Sequence, residues 1–264
     1  MKVFILILGF IFYGKCMGQN FSELGKKINY SSIYRKAQKF TNIENALLAP
    51  EKVLYLKITV DEDGHNYQKF VDNHSKFINL RKLIIDNCYY QIEIHKVPDL
   101  SIFKDIEYLQ VFCIPKLNLD KLSSLSNLKF LEINGCEIND FPSSILKLTN
   151  LECLNLSVNY LSRLPDNIGE MTNLKELELT NNCFDEVPKQ IVGLHELLYL
   201  IMNNAEEAGQ FKNGKLFCKN TVTTYPGLLI GCKKIKKVIL SKVDDETQEK
   251  LKTEFPSVKF YFSK

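Results

Sequence analysis

The chain has 264 residues, of which 45% are hydrophobic and 25% charged, and its formal net charge is +3. This length fits one elongated domain rather than two globules. Lysine and arginine are interleaved with aspartate and glutamate, so the chain lacks the basic, aromatic-rich block that a nucleic-acid surface needs, and we expect no nucleic-acid partner.

The N-terminus has the pattern of an export signal. Lys2 precedes an apolar run of 12 residues, 3–14, which is too short to span a bilayer. Small residues follow it just before Gln19. The pattern predicts a signal peptide over 1–18 and a mature chain that begins at Gln19.

The rest of the chain contains no second apolar run of membrane length. We therefore expect no membrane insertion after cleavage, and a secreted, periplasmic or cell-surface protein. Cys16 raises the alternative of a lipid-modified cysteine, but Lys15 breaks the small-residue pattern that this modification requires.

Residues 19–52 lack the pattern of the later chain. A serine pair can cap a helix over 34–40, and a second helix over 43–49 is ended by Pro50. The sequence predicts a helical segment ahead of the first strand.

Three early segments have apolar residues at alternate positions, which is typical of half-buried strands. The acidic turn 61–65 lies between the first two, but Gly64 is misplaced for a calcium loop and no ligating glutamate follows, so a solvated turn is predicted. The apolar triplets are Val53, Leu56 and Ile58, then Leu80, Leu83 and Ile85, then Ile106, Leu109 and Val111.

The stretch 127–204 repeats one unit of 23 residues. Each unit has a strand with alternating apolar residues, a hydrogen-bonding side chain at its ninth position and a proline on its return side. The units open at Leu128, Leu151, Leu174 and Leu197, and the ninth positions hold Cys136, Asn159 and Asn182. The strand leucines and isoleucines are Leu131 and Ile133, Leu154 and Leu156, and Leu177 and Leu179, and the prolines are Pro142, Pro165 and Pro188.

These residues resemble the leucine-rich repeat family, in the form L-x-x-L-x-L-x-x-N/C-x-L followed by L-P-x-x-I-x-x-L. The lead-in from Ala46 to Ile58 is similar to that of secreted bacterial members. The resemblance implies an α/β solenoid, a curved horseshoe with a parallel β-sheet on its concave face. It implies an N-terminal helical cap over 19–52 and repeats over 53–240.

The repeat pattern breaks after the regular stretch. Residues 203–232 form an irregular insertion, and the stack resumes with the apolar triplet Ile235, Val238 and Leu240. A helix is predicted over 244–255 and an edge strand over 258–262. This ending, 241–264, resembles the C-terminal cap of the family.

Cys218 and Cys232 flank a loop and are a candidate disulfide pair in an oxidising compartment. Cys88 and Cys136 occupy the ninth repeat position, where a buried thiol is an ordinary occupant.

The side chains between the buried leucines predict a partner-binding surface on the sheet. We expect Tyr108, Phe112 and Phe130 to lie side by side and exposed. Next to them we expect an acidic strip, made of Glu132, Glu176 and Glu178, that favours a partner with basic groups. The candidate partner-binding residues are Tyr55, Tyr108, Phe112, Phe130, Glu132, Asn155, Glu176, Glu178 and Tyr199.

Enzyme activity is not expected. The sequence lacks nucleophile-elbow, zinc-protease, phosphate-loop and dinucleotide motifs, so no catalytic residue, metal or cofactor is predicted. Cys153 has no histidine beside it, and Glu176 and Glu178 lie on an open face with no cleft. The predicted function is binding of a protein or peptide, and the alternatives are a structural or adhesive role and inhibition or regulation of an enzyme.

Overall fold

The computed structural model describes residues 38–88, 92–204, 220, 231–241 and 243–263. The predicted signal peptide, the first part of the helix predicted over 34–40 and most of the predicted insertion lie outside these residues. The chain divides into two compact units, residues 1–136 and 137–264.

The described part of the first unit contains five parallel strands that lie side by side in chain order. Two α-helices and four short 3-10 helices connect them. The strands are β1 (Lys39–Phe40), β2 (Tyr55–Thr59), β3 (Lys82–Asp86), β4 (Tyr108–Phe112) and β5 (Phe130–Asn134). The helices are α1 (Ile43–Leu47) and α2 (His65–Asn73), with 3-10 turns at Pro50–Lys52, His74–Lys76, Leu100–Ile102 and Leu122–Ser124.

The register of the first unit confirms the strands predicted from the early apolar triplets. Leu56, Leu83, Leu109 and Leu131 are aligned across β2 to β5 and all are fully buried. Each leucine fills the same place in its repeat, so successive repeats cover each other's apolar faces. The irregular spacing of these repeats therefore alters the length of the segments that connect the strands, while the buried leucines keep their aligned positions.

Two elements of the first unit differ from the predictions. Lys39 and Phe40 were predicted to end a helix but form β1, which pairs with β2. The helix α2, which follows the acidic turn, was not predicted, and its Phe70 is fully buried. Gly64 starts α2 with a left-handed φ of 69°, a conformation that glycine adopts without steric cost.

The described part of the second unit also contains five strands that are parallel and adjacent in chain order. The prolines predicted on the return side precede 3-10 turns, and the predicted terminal helix is present. The strands are β6 (Cys153–Asn155), β7 (Glu176–Glu178), β8 (Tyr199–Met202), β9 (Lys237–Ser241) and β10 (Lys259–Ser263). The 3-10 turns are Ser143–Lys147, Ile168–Glu170 and Lys189–Gly193, and the helix is α3 (Asp245–Glu254).

Asparagines at the ninth repeat position satisfy the backbone where the chain turns out of the strands. The Asn182 side chain, which is fully buried, donates to the carbonyl oxygens of Leu156 at 3.0 Å and Leu179 at 3.1 Å. Its Oδ1 accepts from the backbone N–H of Leu161 at 3.0 Å. Asn159 repeats this pattern one unit earlier and accepts from the N–H of Ile138. These ladder asparagines tie each repeat to its neighbour.

Within the predicted insertion, the described residues include Asn204, at the eighth position of its repeat, and Asn220. Asn220, sixteen residues after Asn204, takes the ladder place: it accepts from the N–H of Phe184 at 3.1 Å and donates to the carbonyl oxygens of Leu179 and Met202. Asn204 accepts from the Asn220 N–H at 2.9 Å and donates to its carbonyl at 2.7 Å. Asn220 therefore makes the hydrogen bonds that the ninth residue of the repeat would make.

Replacing Asn182 with alanine should lower the free energy of unfolding by about 2–4 kcal/mol, because each buried polar group left unsatisfied costs roughly 1–3 kcal/mol. The measurement is denaturant unfolding followed by circular dichroism. Asn173→Ala is the matched control, since the Asn173 side chain makes one hydrogen bond, to the Thr149 carbonyl, at an exposed position. Equal losses in the two variants would show that the ladder contributes no more than an exposed hydrogen bond.

Candidate functional site

The side chains that alternate with the buried leucines form one sheet face in each unit. We name them the first sheet face, on β1 to β5, and the second sheet face, on β6 to β9. Of the nine predicted partner-binding residues, the first sheet face carries Tyr55, Tyr108, Phe112, Phe130 and Glu132. The second carries Asn155, Glu176, Glu178 and Tyr199.

The expectation that Tyr108, Phe112 and Phe130 are exposed is wrong. Their exposed fractions are 0%, 8% and 4%. The rings of Tyr108 and Phe130 do lie side by side, with centroids 4.2 Å apart and an angle of 3° between their planes. Aligned strands place large rings in direct contact, so these aromatics bury each other's surfaces.

A column of lysines and aromatics crosses the first sheet face, and the sequence analysis did not identify it. Lys39, Tyr55, Lys82, Tyr108 and Phe130 are aligned in the strand register. The Nζ of Lys82 lies 3.8 Å from the ring centroid of Tyr108 and 4.8 Å from that of Tyr55, while the Nζ of Lys39 lies 5.6 Å from the latter. These are cation–π contacts. We call this set the lysine–aromatic column.

Burial changes the acid–base behaviour of this column. Burial, together with the smaller effect of the nearby Lys39 charge, lowers the pKa of Lys82 to about 8. Burial also raises the pKa of Tyr55. Because only 2% of Lys82 is exposed, its charge is stabilised by neighbouring rings rather than by bulk water. The column is therefore a packed, charged element of the first unit.

Glu132 holds its place on the first sheet face through neighbouring amides. Its carboxylate accepts hydrogen bonds from Asn134 Nδ2 at 2.7 Å and from Gln110 Nε2. Towards the start of the sheet, Lys57 and Asp86 form an ion pair at 3.7 Å, and both are only partly buried.

The second sheet face repeats this arrangement. The carboxylate of Glu178 accepts from Asn155 Nδ2 at 3.0 Å, and the Thr180 hydroxyl lies 3.4 Å from its other oxygen. The same hydroxyl donates to Asn203 Oδ1 at 2.7 Å. Glu176 precedes Glu178 on the same strand and on the same face, and both are buried. Glu176 and Glu178, the second part of the predicted acidic strip, therefore share one sheet face but are buried in it.

Three of the nine predicted residues are accessible. Tyr55, Asn155 and Tyr199 are half-buried, whereas the other six are less than 9% exposed. The alternation in the sequence identified which side chains share a face but not which of them are exposed to solvent, because exposure depends on how neighbouring side chains pack.

Cys153 lies on the second sheet face, where burial and the nearby Glu176 raise the pKa of its thiol. A raised pKa disfavours the thiolate, which is the reactive form in nucleophilic catalysis. Among the described residues, no cluster of three or more histidine, cysteine or acidic side chains could hold a metal ion.

The predicted disulfide between Cys218 and Cys232 is wrong. Cys232 is a buried free thiol whose Sγ lies 3.5 Å from the Ile191 carbonyl, and burial raises its pKa to about 11. This thiol is turned into the repeat core and away from solvent. Cys218 lies outside the described residues. Cys183, in contrast, is disulfide-bonded.

Comparison with known proteins agrees with this architecture. A family model described as a leucine-rich repeat region matches residues 65–183. The chain thus contains a leucine-rich repeat region and has the leucine-rich repeat fold. No curated protein sequence matches it. Repeat solenoids of this type use extended sheet surfaces for binding, and protein–protein interaction is the function that the fold suggests.

Two solved structures share the fold. A leucine-rich repeat protein of Leptospira interrogans has a TM-score of 0.59 and 21% identity, with 85% of this chain and 54% of that chain covered. The internalin inlF of Listeria monocytogenes has a TM-score of 0.55 and 14% identity, with 86% and 67% covered. This leucine-rich repeat chain therefore spans about half the length of the Leptospira protein.

Lys82→Met should change how stability depends on pH. Because the pKa of Lys82 is about 8 in the folded protein and about 10.5 when unfolded, the unfolded chain binds more protons between these values. The parent should therefore gain stability relative to Lys82→Met as the pH rises from 8 to 9.5, by up to about 1.4 kcal/mol per pH unit.

Urea unfolding of both proteins at pH 7, 8, 9 and 9.5 measures this difference. Lys104→Met, which removes an exposed lysine, controls for the change in net charge. A constant difference between parent and Lys82→Met across the range would contradict the lowered pKa.

Proposed function

We propose that this protein is exported and binds a protein or peptide partner through its sheet faces, without catalysing a reaction. The observation that carries the proposal is the fixed array of aromatic, cationic and carboxylate side chains on aligned strands. Side chains already held in place lose little entropy when a partner binds, so the array is preorganised for recognition.

The accessible and buried members of the array have different roles. Tyr55, Asn155 and Tyr199 are accessible and make the direct contacts, and tyrosine is among the residues that contribute most to binding at interfaces. The six buried residues hold these contacts in position. In the first unit, for example, Tyr55 is backed by Lys82, which is itself packed on Tyr108.

The charge of the array indicates the chemistry of the partner. The carboxylate of Glu132 accepts hydrogen bonds from the side-chain amides of Asn134 and Gln110, and that of Glu178 accepts one from the side-chain amide of Asn155. With Glu176 they give the faces a negative component, which favours a partner that presents lysine or arginine. An acidic partner would be repelled there.

Two observations support export. Residues 1–18 have the charge and apolar length of a signal peptide. Cys183 is disulfide-bonded, and disulfides persist in oxidising compartments outside the cytosol. No helix among the described residues has both the length and the apolar character needed to cross a membrane.

The absence of catalysis is supported by the chemistry of the faces. Cys153 has a raised thiol pKa, and the carboxylates Glu176 and Glu178 belong to a hydrogen-bonded strip on a β-sheet rather than to a catalytic cleft.

Tyr55→Ala and Tyr199→Ala should each weaken partner binding about ten-fold or more, because a tyrosine hot spot contributes about 2 kcal/mol and 1.4 kcal/mol is a factor of ten. The mature chain is used to capture partners from the exported fraction. The dissociation constant of each captured protein is then measured by calorimetry with both variants.

Leu48→Ala is the matched control, since Leu48 is 84% exposed and lies in the turn after α1, outside the strands that carry the sheet faces. A partner lost by the tyrosine variants and kept by Leu48→Ala supports the proposal. A partner that binds all variants equally places the site elsewhere, and binding seen only with clustered protein supports an adhesive role.

A further inference from the structure

Two cysteines on neighbouring repeats of the first unit are in contact just after the C-terminal ends of their strands. Cys88 follows β3 at the ninth repeat position, and Cys113 follows β4 at the eighth position of the next repeat. Their Sγ atoms lie 2.7 Å apart, and the residues are only 9% and 5% exposed. The sequence pattern gave Cys88 no role beyond filling the repeat core, and it did not single out Cys113.

Hydrogen bonds of the surrounding backbone hold the two cysteines next to each other. Asn87, next to Cys88, donates its N–H to the Phe112 carbonyl at 3.1 Å and its side-chain amide to the Cys113 carbonyl at 2.9 Å. On the other side, the N–H of Cys113 donates to the Asn134 carbonyl at 2.9 Å. The two cysteines therefore stay neighbours unless the sheet itself separates.

The distance between the sulfurs is shorter than ordinary non-bonded packing. Carbon atoms in contact lie about 3.5–4.0 Å apart, and sulfur is larger than carbon. A disulfide bond is about 2.05 Å long. The observed Sγ–Sγ distance of 2.7 Å therefore lies between that of a disulfide bond and that of a non-bonded contact.

We propose that Cys88 and Cys113 form an inter-repeat disulfide in the exported protein. The pair loses two protons and two electrons. One thiolate attacks the disulfide of a thiol-oxidising protein in the compartment, which gives a mixed disulfide and releases one thiol of that protein. The second thiolate then attacks the sulfur of the first cysteine, forms the bond and releases the other thiol of the oxidant.

This inference rests on the proposed export, because an oxidising compartment must supply the disulfide donor. Cys183 of the same chain is disulfide-bonded, which agrees with such an environment. Since both thiols are buried once the repeats stack, exchange takes place during folding, before the sheet closes over them.

The bond links two repeats whose spacing departs from the regular period. It closes a loop from residue 88 to residue 113, and a closed loop restricts the unfolded chain. We therefore expect the disulfide to stabilise the part of the solenoid where the repeat pattern is weakest.

The test is peptide mapping of the full chain from the exported fraction. The protein is denatured in the presence of iodoacetamide, which alkylates free thiols, and is then digested with trypsin without reduction. Trypsin places Cys88 in peptide 83–96, Cys113 in 105–116 and Cys136 in 130–147. The expected result is a linked pair of the first two peptides, 2 Da lighter than their summed thiol masses, with Cys136 alkylated. Recovery of 83–96 and 105–116 as separate alkylated peptides overturns the proposal, and so does a link from either to 130–147.

A second measurement separates this inference from the question of export. The purified reduced chain is refolded with oxidised and reduced glutathione, and its melting temperature is compared with and without reductant. The parent should melt at a lower temperature after reduction, and Cys88→Ser should lose that part of the shift, whereas Cys136→Ser keeps it. A shift that is equal in parent and Cys88→Ser contradicts the bond, and neither result depends on partner binding.

Discussion

The structure depends on satisfying backbone hydrogen bonds at each place where the chain leaves a strand. In a stack of repeats these turns are buried, so their N–H and C=O groups need partners inside the protein. Asn159, Asn182 and Asn220 each provide one acceptor and two or more donations from a single side chain. In the second unit the ladder asparagines complete these turns, so the leucine core can continue from one repeat to the next.

The fold could be predicted from the sequence because one period fixes the leucine register and the turn residues together. Leu131, Leu154 and Leu177 occupy the same place in their repeats, and all are buried. β1 was missed because a strand of two residues shows no detectable alternation, and its extended conformation is stabilised by pairing with β2. Asn220 was missed because an insertion separates it from the periodic stretch, so no spacing points to it.

The candidate site was predicted less completely, for a different physical reason. Alternation along a strand tells which side chains share a face, but exposure depends on contacts across several strands. Tyr108 and Phe130 were placed correctly as neighbours, yet their stacking removes them from solvent. The lysine–aromatic column depends on the alignment of β1 to β5, and Lys82 acquires its lowered pKa only from that packing. Pairwise contacts of this kind are not encoded in a repeat pattern.

The position of the extra loops follows from the ladder. Asn87 and Asn204 both stand at the eighth position of their repeats, and each forms two hydrogen bonds to the residue at which the chain returns, Ile92 in one case and Asn220 in the other. Such a clamp closes a loop at its base, and the entropic cost of a longer loop grows only slowly with its length. Sequence can therefore be added at this point without breaking the stack. The hydrogen bonds of Asn87 and Asn204 therefore join the described parts of their repeats directly, whatever residues lie between them.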